Sequence, residues 1–179
     1  MLISVTGTPG TGKTKMARKL AKLLKAKLVS QNDIIKKMKT AVDKQRKTKI
    51  VDERKIRVAA ENMLSETTII EGHLSHYSKP DIVIVLRCRP DILEKRLKAR
   101  RYSKSKVIEN VQSEILDSAT IESMDECKSV WEIDTTMLTP EKAAGKAARI
   151  ILSRRGGKSH KPGNIDWTRK WKKYLIYNS

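Results

Sequence analysis

Eight residues near the start of the chain limit its possible folds most strongly. Residues 7–14 read Gly-Thr-Pro-Gly-Thr-Gly-Lys-Thr, a complete G-x-x-x-x-G-K-[ST] pattern, and they follow the apolar segment Leu2–Thr6. A strand, a glycine-rich turn and a helix in this order surround a phosphate group with backbone N–H groups and the positive end of the helix. Lys13 is expected to reach the β and γ phosphates of a nucleotide, and Thr14 to offer its hydroxyl to Mg²⁺. Residues 7–14, called the phosphate loop below, therefore predict a nucleotide site; a plain strand-to-helix turn is the weaker alternative.

Strand-like and helix-like segments alternate along the chain. Strands are predicted at 2–6, 28–30, 67–70, 81–86 and 130–134, and helices at 13–25, 32–39, 53–64, from Pro90, at 107–127 and at 140–152. The segment 81–86 is almost continuously apolar, which is typical of a central parallel strand covered on both faces. The polar segment 40–49 is expected to be exposed and mobile. The alternation predicts an α/β fold, a parallel sheet flanked by helices, with its ligand beyond the carboxyl ends of the strands.

The composition narrows the choice of partners and compartment. The 179 residues suit one domain, and 39 Lys and Arg against 20 Asp and Glu give a formal net charge of +19. Such an excess suggests a polyanionic partner beyond the nucleotide. Because the chain has no run of 18 apolar residues and its first strand leaves no room for a signal peptide, we expect no membrane contact and a cytoplasmic location. Cys88 and Cys127 have no paired spacing and are interpreted as core thiols.

A carboxylate and an imidazole follow the third predicted strand. Enzymes with a phosphate loop commonly bring an acid from a strand end to the Mg²⁺ beside the loop, and Glu71 occupies that place. His73 could orient water, a phosphate or a substrate group. A histidine after a strand is more often a hydrogen-bonded turn residue, but its position behind Glu71 favours a functional role. His76 is expected at the surface, and His160 in the tail.

Two basic regions invite a functional interpretation. Arg96, Arg100 and Arg101 end the helix that begins at Pro90, and they could close over a nucleotide as a basic flap. A solvated helix face is the alternative. From residue 154 the chain changes to a basic, glycine-containing tail whose end spaces Trp167, Trp171 and Tyr174 along one helical face. This tail could bind a partner, serve as a solubilising extension, or fold back over an apolar patch.

These features together resemble a known family, the adenylate kinase isoenzyme six-like NTPases of archaea and eukaryotes, which include a related ribosome-maturation factor. The resemblance rests on residues 7–14, Asp52-Glu53 before a helix, Glu71-Gly72-His73, Ile84-Val85-Leu86-Arg87, and the segments 96–102, 109–115 and 162–167. It implies a P-loop NTPase fold of the nucleoside monophosphate kinase type over residues 1–153, followed by the basic tail at 154–179. Residues of about 30–50 would form the monophosphate-binding region, and about 99–109 the lid.

The resemblance also implies an activity and partners. It implies transfer of the ATP γ-phosphate to AMP and related monophosphates with Mg²⁺, together with ATPase activity, in maturation of the small ribosomal subunit and its 16S rRNA. A platform protein of that subunit is the implied protein partner, and the net charge suggests that rRNA is bound as well. The alternative is an assembly ATPase or chaperone that binds a ribosomal protein and rRNA, with incidental kinase activity. A small-metabolite or polynucleotide kinase has no clear signature in the sequence.

Site residues are carried over by position. Phosphate binding falls to Gly10, Thr11, Gly12, Lys13, Thr14 and Lys15, metal binding to Thr14 and Glu71, and catalysis to Lys13, Glu71, His73 and Arg100, of which Arg100 would contact ATP from the lid. Three positions depart from the family pattern. Glu71 stands where eukaryotic members have Asp, Lys15 replaces a usual Thr, and Arg101 replaces a Gly.

Overall fold

A parallel sheet forms the centre of the molecule. The computed structural model describes residues 1–37, 42–43, 48–49 and 67–176, and in these residues five strands pair in the order β2-β5-β1-β6-β7. The strands are β1 (Leu2–Thr6), β2 (Lys27–Ser30), β5 (Thr68–Glu71), β6 (Ile82–Arg87) and β7 (Val130–Asp134). All neighbouring pairs are parallel. A separate antiparallel pair joins β3 (Val42–Asp43) to β4 (Thr48–Lys49).

Helices cover both faces of this sheet. They are α1 (Lys13–Leu24), α2 (Gln31–Lys37), α3 (Pro90–Ala99), α4 (Lys104–Ile115), α5 (Ser118–Glu126), α6 (Pro140–Ser153), α7 (Thr168–Trp171) and α8 (Lys173–Ile176). Short 3₁₀ turns lie at Ser75–Ser78 and Lys158–His160. Among the described residues, no helix combines the length and the apolar character needed to span a bilayer.

The apolar pattern explains why the strands are parallel and central. Every residue of β1 and β6 is buried, as expected for strands covered on both faces. On one face, Ile3 and Ile84 pack with Met16 and Leu20 of α1 and with Ala144 of α6. On the other face, valines of β6 and β7 pack against the α5 region. The predicted α/β fold with a parallel sheet flanked by helices is therefore confirmed.

One predicted helix is wrong, and one lies outside the described residues. The segment 107–127 forms two helices instead of one, because the chain turns at Asp117, which adopts φ +56°. This turn brings the Asp117 carboxylate onto the Arg87 guanidinium. An ion pair with a buried arginine thus outweighs the helical pattern of the local sequence. The predicted helix 53–64 and most of the 40–49 segment lie outside the described residues.

The predicted tail folds back onto the domain, which agrees with one of the alternatives left open for it. Trp167, Trp171, Tyr174 and Leu175 pack against the apolar face made by Leu93 and Leu97 of α3 and by Val107, Val111 and Ile115 of α4. The tail is also closely packed near its beginning, at Gly156. A Cβ placed on Gly156 would lie 2.2 Å from the Trp131 ring, so the backbone runs directly over the indole.

Candidate nucleotide-binding site

The phosphate loop lies at the carboxyl ends of β1, β5 and β6. It leaves β1 at Thr6 and enters α1 at Lys13. Gly7 has φ +129°, and a Cβ there would stand 2.3 Å from the Leu86 carbonyl oxygen, so only glycine fits this passage. The central strands therefore hold the loop against the sheet edge.

Lys13 lies inside the loop. Its Nζ donates hydrogen bonds to the carbonyl oxygens of Gly7 at 2.6 Å and Thr8 at 3.0 Å. Burial lowers the pKa of the Lys13 ammonium from 10.5 to about 8, while the nearby carboxylates of Glu71 and Glu114 act in the opposite direction. The loop thus holds a partly desolvated cation, which has less bound water to lose when an anion arrives.

Thr14 and Glu71 meet across the cleft although 57 positions separate them in sequence. The Thr14 hydroxyl donates to Glu71 Oε2 at 3.1 Å. A hydroxyl, a carboxylate and nucleotide phosphate oxygens are the hard oxygen ligands that Mg²⁺ prefers. Within the described ranges, no group of three or more His, Cys, Asp and Glu side chains could hold a metal by itself. The Thr14 hydroxyl and the Glu71 carboxylate fit two of the oxygen ligands of a Mg²⁺ that nucleotide phosphates would also bind.

His73 faces the same space. A cleft of about 300 Å³, called the phosphate cleft below, is bordered by Lys13, Thr14, Glu71, His73 and Arg100 together with Gly10, Gly12 and Lys15 of the loop. Desolvation first, and the charge of Lys13 second, lower the pKa of the His73 imidazole from 6.5 to about 4. Solvent still reaches the ring and moderates this effect, but the direction leaves His73 neutral at pH 7.

Two further clefts adjoin the phosphate cleft in the described part of the chain. The Leu138 cleft, of about 370 Å³, shares Gly10, Gly12, Lys15 and Arg100 with it, and adds Thr11, Leu138 and Ala143. The Lys106 cleft, of about 380 Å³, shares Pro9, His73 and Tyr102 with it, and adds Lys106 and Asn110. All the predicted site residues therefore border the phosphate cleft or the Leu138 cleft.

The arginine flap stays a prediction, and its three members lie in different surroundings. Arg100 is exposed just after α3 and borders both the phosphate cleft and the Leu138 cleft. Arg96, in contrast, is turned inward: it donates to the carbonyl oxygens of Thr135 and Thr136, both at 3.2 Å, and to Cys88 Sγ at 3.3 Å. Because these bonds tie α3 to the loop after β7, Arg96 has a structural role, and its side chain also borders the Leu138 cleft beside Arg100. Arg101 has φ +58° in the turn between α3 and α4.

The expectation for His76 is wrong. This histidine is fully buried, with Nδ1 at 3.1 Å from the Thr6 hydroxyl and Nε2 at 3.2 Å from Glu122 Oε2. Burial, followed by the effect of His73, lowers its pKa to about 4. The predicted core position of Cys88 is confirmed, and burial raises the pKa of its thiol to about 12, so it is an inert thiol. Cys127 is half-buried beside the β6 and β7 valines.

Sequence reasoning missed the buried charges beneath the loop. Glu114 Oε2 accepts a 2.6 Å hydrogen bond from the Thr8 hydroxyl, and its Oε1 accepts bonds from Arg87 Nε at 2.8 Å and Cys88 N at 3.0 Å. Burial raises the pKa of Glu114, against the opposing effect of Arg87. A signal existed in the sequence: an arginine that ends a continuously apolar strand requires buried acidic partners.

Comparisons with known proteins agree with this geometry. Residues 3–117, more than half of the chain, match the AAA domain family described as AAA_18. A Pyrococcus furiosus protein named "Putative adenylate kinase" is 39% identical over 178 residues, covering 99% of this chain and 97% of its own. A Methanosarcina acetivorans protein of the same name is 40% identical, covering 93% and 97%.

A solved structure with low sequence identity supports the fold alone. The shikimate kinase of Acinetobacter baumannii, solved in complex with shikimate, superposes with a TM-score of 0.62 at 18% identity, covering 86% of this chain and 93% of that one. The coverage of the archaeal relatives, the family match and the phosphate loop point the same way. The chain belongs to the P-loop kinase family that includes these archaeal relatives.

Proposed function

We propose that this protein transfers the γ-phosphate of ATP to AMP and related nucleoside monophosphates. The observation that carries the proposal is the convergence of Lys13, Thr14, Glu71, His73 and Arg100 on one cleft. The names of the archaeal relatives support a nucleotide acceptor. Phosphoryl transfer requires positioning and charge neutralisation more than covalent chemistry, and these residues offer both.

Each residue has a role that follows from its chemistry and place. The backbone of Gly10, Thr11, Gly12 and Lys15 would cradle the phosphates, while Lys13 exchanges its bonds to the loop carbonyls for bonds to phosphate oxygens. Thr14 and Glu71 would hold Mg²⁺, which when bound neutralises charge on the phosphates. Arg100, which borders both the Leu138 cleft and the phosphate cleft, would contact ATP from the end of α3.

The three adjoining clefts suggest where each of the two substrates binds. The apolar Leu138 and Ala143 side chains suit the base of ATP in the Leu138 cleft, with its phosphates in the phosphate cleft. Lys106 and Asn110, on the far side of His73, suit the acceptor's phosphate and hydroxyl groups. Neutral His73 would accept or donate a hydrogen bond between them without adding charge. Residues 99–109 would then act as the lid, and residues 30–50 would complete the acceptor site.

Formation of ADP from ATP and AMP tests the proposal directly. We expect activity from the wild-type protein in a screen of nucleoside monophosphates, and a loss of roughly 100-fold or more for Lys13→Ala, because a transition-state charge loses its partner. The thermal unfolding midpoint of the variant serves as the control for folding. Near wild-type ADP formation by Lys13→Ala, or no turnover of any monophosphate by the wild-type protein, would overturn the proposal.

A second function is favoured by the charge of the chain. With a formal net charge of +19, the protein suits a polyanion larger than a nucleotide. We propose that it acts in small-subunit and 16S rRNA maturation in the cytoplasm, hydrolysing ATP while it binds rRNA and a platform ribosomal protein. Comparing ATP hydrolysis with and without AMP, and with and without RNA, separates the two functions. Hydrolysis that RNA leaves unchanged would count against this role.

A further inference from the structure

A buried chain of polar contacts begins at the phosphate loop. The Thr8 hydroxyl donates a hydrogen bond to the Glu114 carboxylate, which also accepts one from Arg87 Nε. The Glu114 backbone carbonyl accepts a third, from Arg87 Nη2 at 2.9 Å. Arg87 and Glu114 are each 1% exposed. A carboxylate with three donors in a dry site has one favourable position, so it fixes the hydroxyl that it accepts from. Thr8 is the second residue of the loop, and its carbonyl also receives Lys13.

The same chain of contacts continues to the C-terminal segment, defined as residues 156–176. Arg87 also pairs with Glu132, whose carboxylate is fully buried. The second oxygen of that carboxylate accepts the backbone N–H of Gly163 at 3.1 Å, and the Glu132 carbonyl accepts His160 Nδ1 at 2.9 Å. His160 and Gly163 of the C-terminal segment therefore donate hydrogen bonds to Glu132, which in turn holds Arg87 in place.

A second set of contacts joins the segment to the helix that carries Glu114. Trp171 and Leu175 pack on the apolar face that contains Val111 and Ile115 of α4. Gln112 Nε2 donates to the Tyr174 carbonyl at 2.9 Å, and the Tyr174 hydroxyl donates to Glu94 of α3 at 2.8 Å. The segment thus supports Glu114 from two directions, through Arg87 and through α4.

Undocking of the segment would disturb the loop for a physical reason. Glu132 would lose two hydrogen bonds, and water would reach the ion pairs of Arg87, which weakens them because the local dielectric rises. The apolar face of α3 and α4 would lose its cover as well. Glu114 would then have more than one accessible position, and the bond to Thr8 would no longer orient the loop.

We propose that Glu114 is a positioning residue for the phosphate loop and that the docked C-terminal segment keeps it in place, so that docking of this segment and binding of nucleotide strengthen each other. The inference rests on the proposed binding of ATP at the phosphate loop. Because linkage is reciprocal, the factor by which undocking weakens nucleotide binding equals the factor by which nucleotide stabilises docking.

The test uses the full chain and two measurements. Calorimetry gives the Kd for Mg-ADP, and hydrogen exchange gives the protection of residues 156–176 with and without Mg-ADP. In Trp167→Ala/Trp171→Ala, we expect the segment to lose protection and the Kd to rise roughly fivefold or more. The matched control is Lys170→Ala/Lys172→Ala, which changes two exposed neighbours on the same segment and should leave both measurements unchanged.

The route through Thr8 is tested by a second pair of variants. Thr8→Val removes the donor to Glu114 at similar volume, and Thr8→Ser restores it. We expect Thr8→Val to weaken Mg-ADP binding, Thr8→Ser to return it toward wild type, and the tryptophan substitutions to add no further loss in the Thr8→Val background. Additive losses, or an unprotected segment with a wild-type Kd, would overturn the inference while leaving nucleotide binding intact. A wild-type protein that binds no nucleotide would instead overturn the proposed function and this inference together.

Discussion

At the scale of single residues, Lys13 combines burial with the charge that a phosphate group must meet. Its pKa of about 8 in the free protein means that the ammonium is protonated below pH 8 and progressively neutral above it. Phosphate binds the protonated form, so ATP affinity should be constant from pH 6.5 to 7.5 and fall above pH 8, approaching about tenfold per pH unit. Calorimetric titrations across this range measure the effect.

The control for this pH dependence is Lys13→Arg. A guanidinium stays protonated throughout the range, so the variant should bind ATP with a flatter pH profile, whatever its absolute affinity. A wild-type Kd that does not change between pH 7 and 9.5 would show that the charge of Lys13 does not govern binding. The same conclusion would follow if the ATP affinity of Lys13→Arg decreased with pH as steeply as that of the wild-type protein.

Residues with a local signal could be predicted, and residues with a distant partner could not. The loop pattern identifies Lys13 and Thr14, and the end of a strand identifies Glu71, which the structure places 3.1 Å from the Thr14 hydroxyl. Glu114 gives no such signal, because its partners Thr8 and Arg87 are 106 and 27 positions away. His76 was misplaced for the same reason, since the residues that bury it lie on β1 and α5.

At the scale of elements, the end of α3 carries two arginines with different tasks. Arg96→Ala removes the donor to two backbone carbonyls, so we expect a decrease of roughly 1–3 kcal/mol in the free energy of unfolding. Arg100→Ala changes an exposed side chain at the cleft, so we expect a KM for ATP that rises roughly tenfold and a stability within about 0.5 kcal/mol of wild type. Denaturant titrations and steady-state kinetics measure both quantities.

Each of these variants is the control for the other, because both delete a guanidinium from the same helix end. A stable Arg96→Ala protein with a raised KM would reverse the assignment and restore Arg96 to the predicted flap. Equal effects of both variants on KM would show that both guanidinium groups contribute to ATP binding at the Leu138 cleft.

Where a helix or strand begins and ends is predicted by the local sequence better than where a helix is interrupted. Pro90 and Pro140 begin α3 and α6, as proline at a first helical position predicts. Strand β7 has the predicted limits of 130–134. The break between α4 and α5 was missed, because only the position of Arg87 on β6 explains why Asp117 leaves the helix. Such a tertiary cause is invisible to helical periodicity.

At the scale of the whole molecule, the net charge makes a prediction about RNA. Arg169, Lys170 and Lys172 are exposed on the docked C-terminal segment. Replacing all three with Gln should weaken binding to single-stranded RNA and reduce the slope of log K against log salt by up to about 2, if all three meet phosphates. Filter binding or anisotropy at several salt concentrations gives this slope.

The proposed formation of ADP from ATP and AMP is the internal control for the triple variant, because none of the three side chains borders a described cleft around the loop. RNA binding that does not depend on salt, or a variant with the full wild-type slope, would remove the segment from the RNA contact. The acidic complement of the chain, 20 residues, is too small to offset this charge at neutral pH.

The fold class could be predicted because alternating strand and helix patterns with short connections leave few other arrangements. The docking of the C-terminal segment could be given only as one of three alternatives, since a face of Trp167, Trp171 and Tyr174 has no partner until α3 and α4 have formed their own apolar face. Sequence periodicity shows that such a face exists. It does not show what covers it.

The central position of β1 has a consequence for synthesis. Leu2–Thr6 is translated before both of its neighbours in the sheet, which are residues 68–71 on one side and 82–85 on the other. Until those residues have been made, β1, which is completely buried in the folded protein, lacks the hydrogen bonds to both of its neighbouring strands. We therefore expect the nascent polypeptide to be prone to aggregation until residue 85 has been made, and molecular chaperones to raise the yield of native protein.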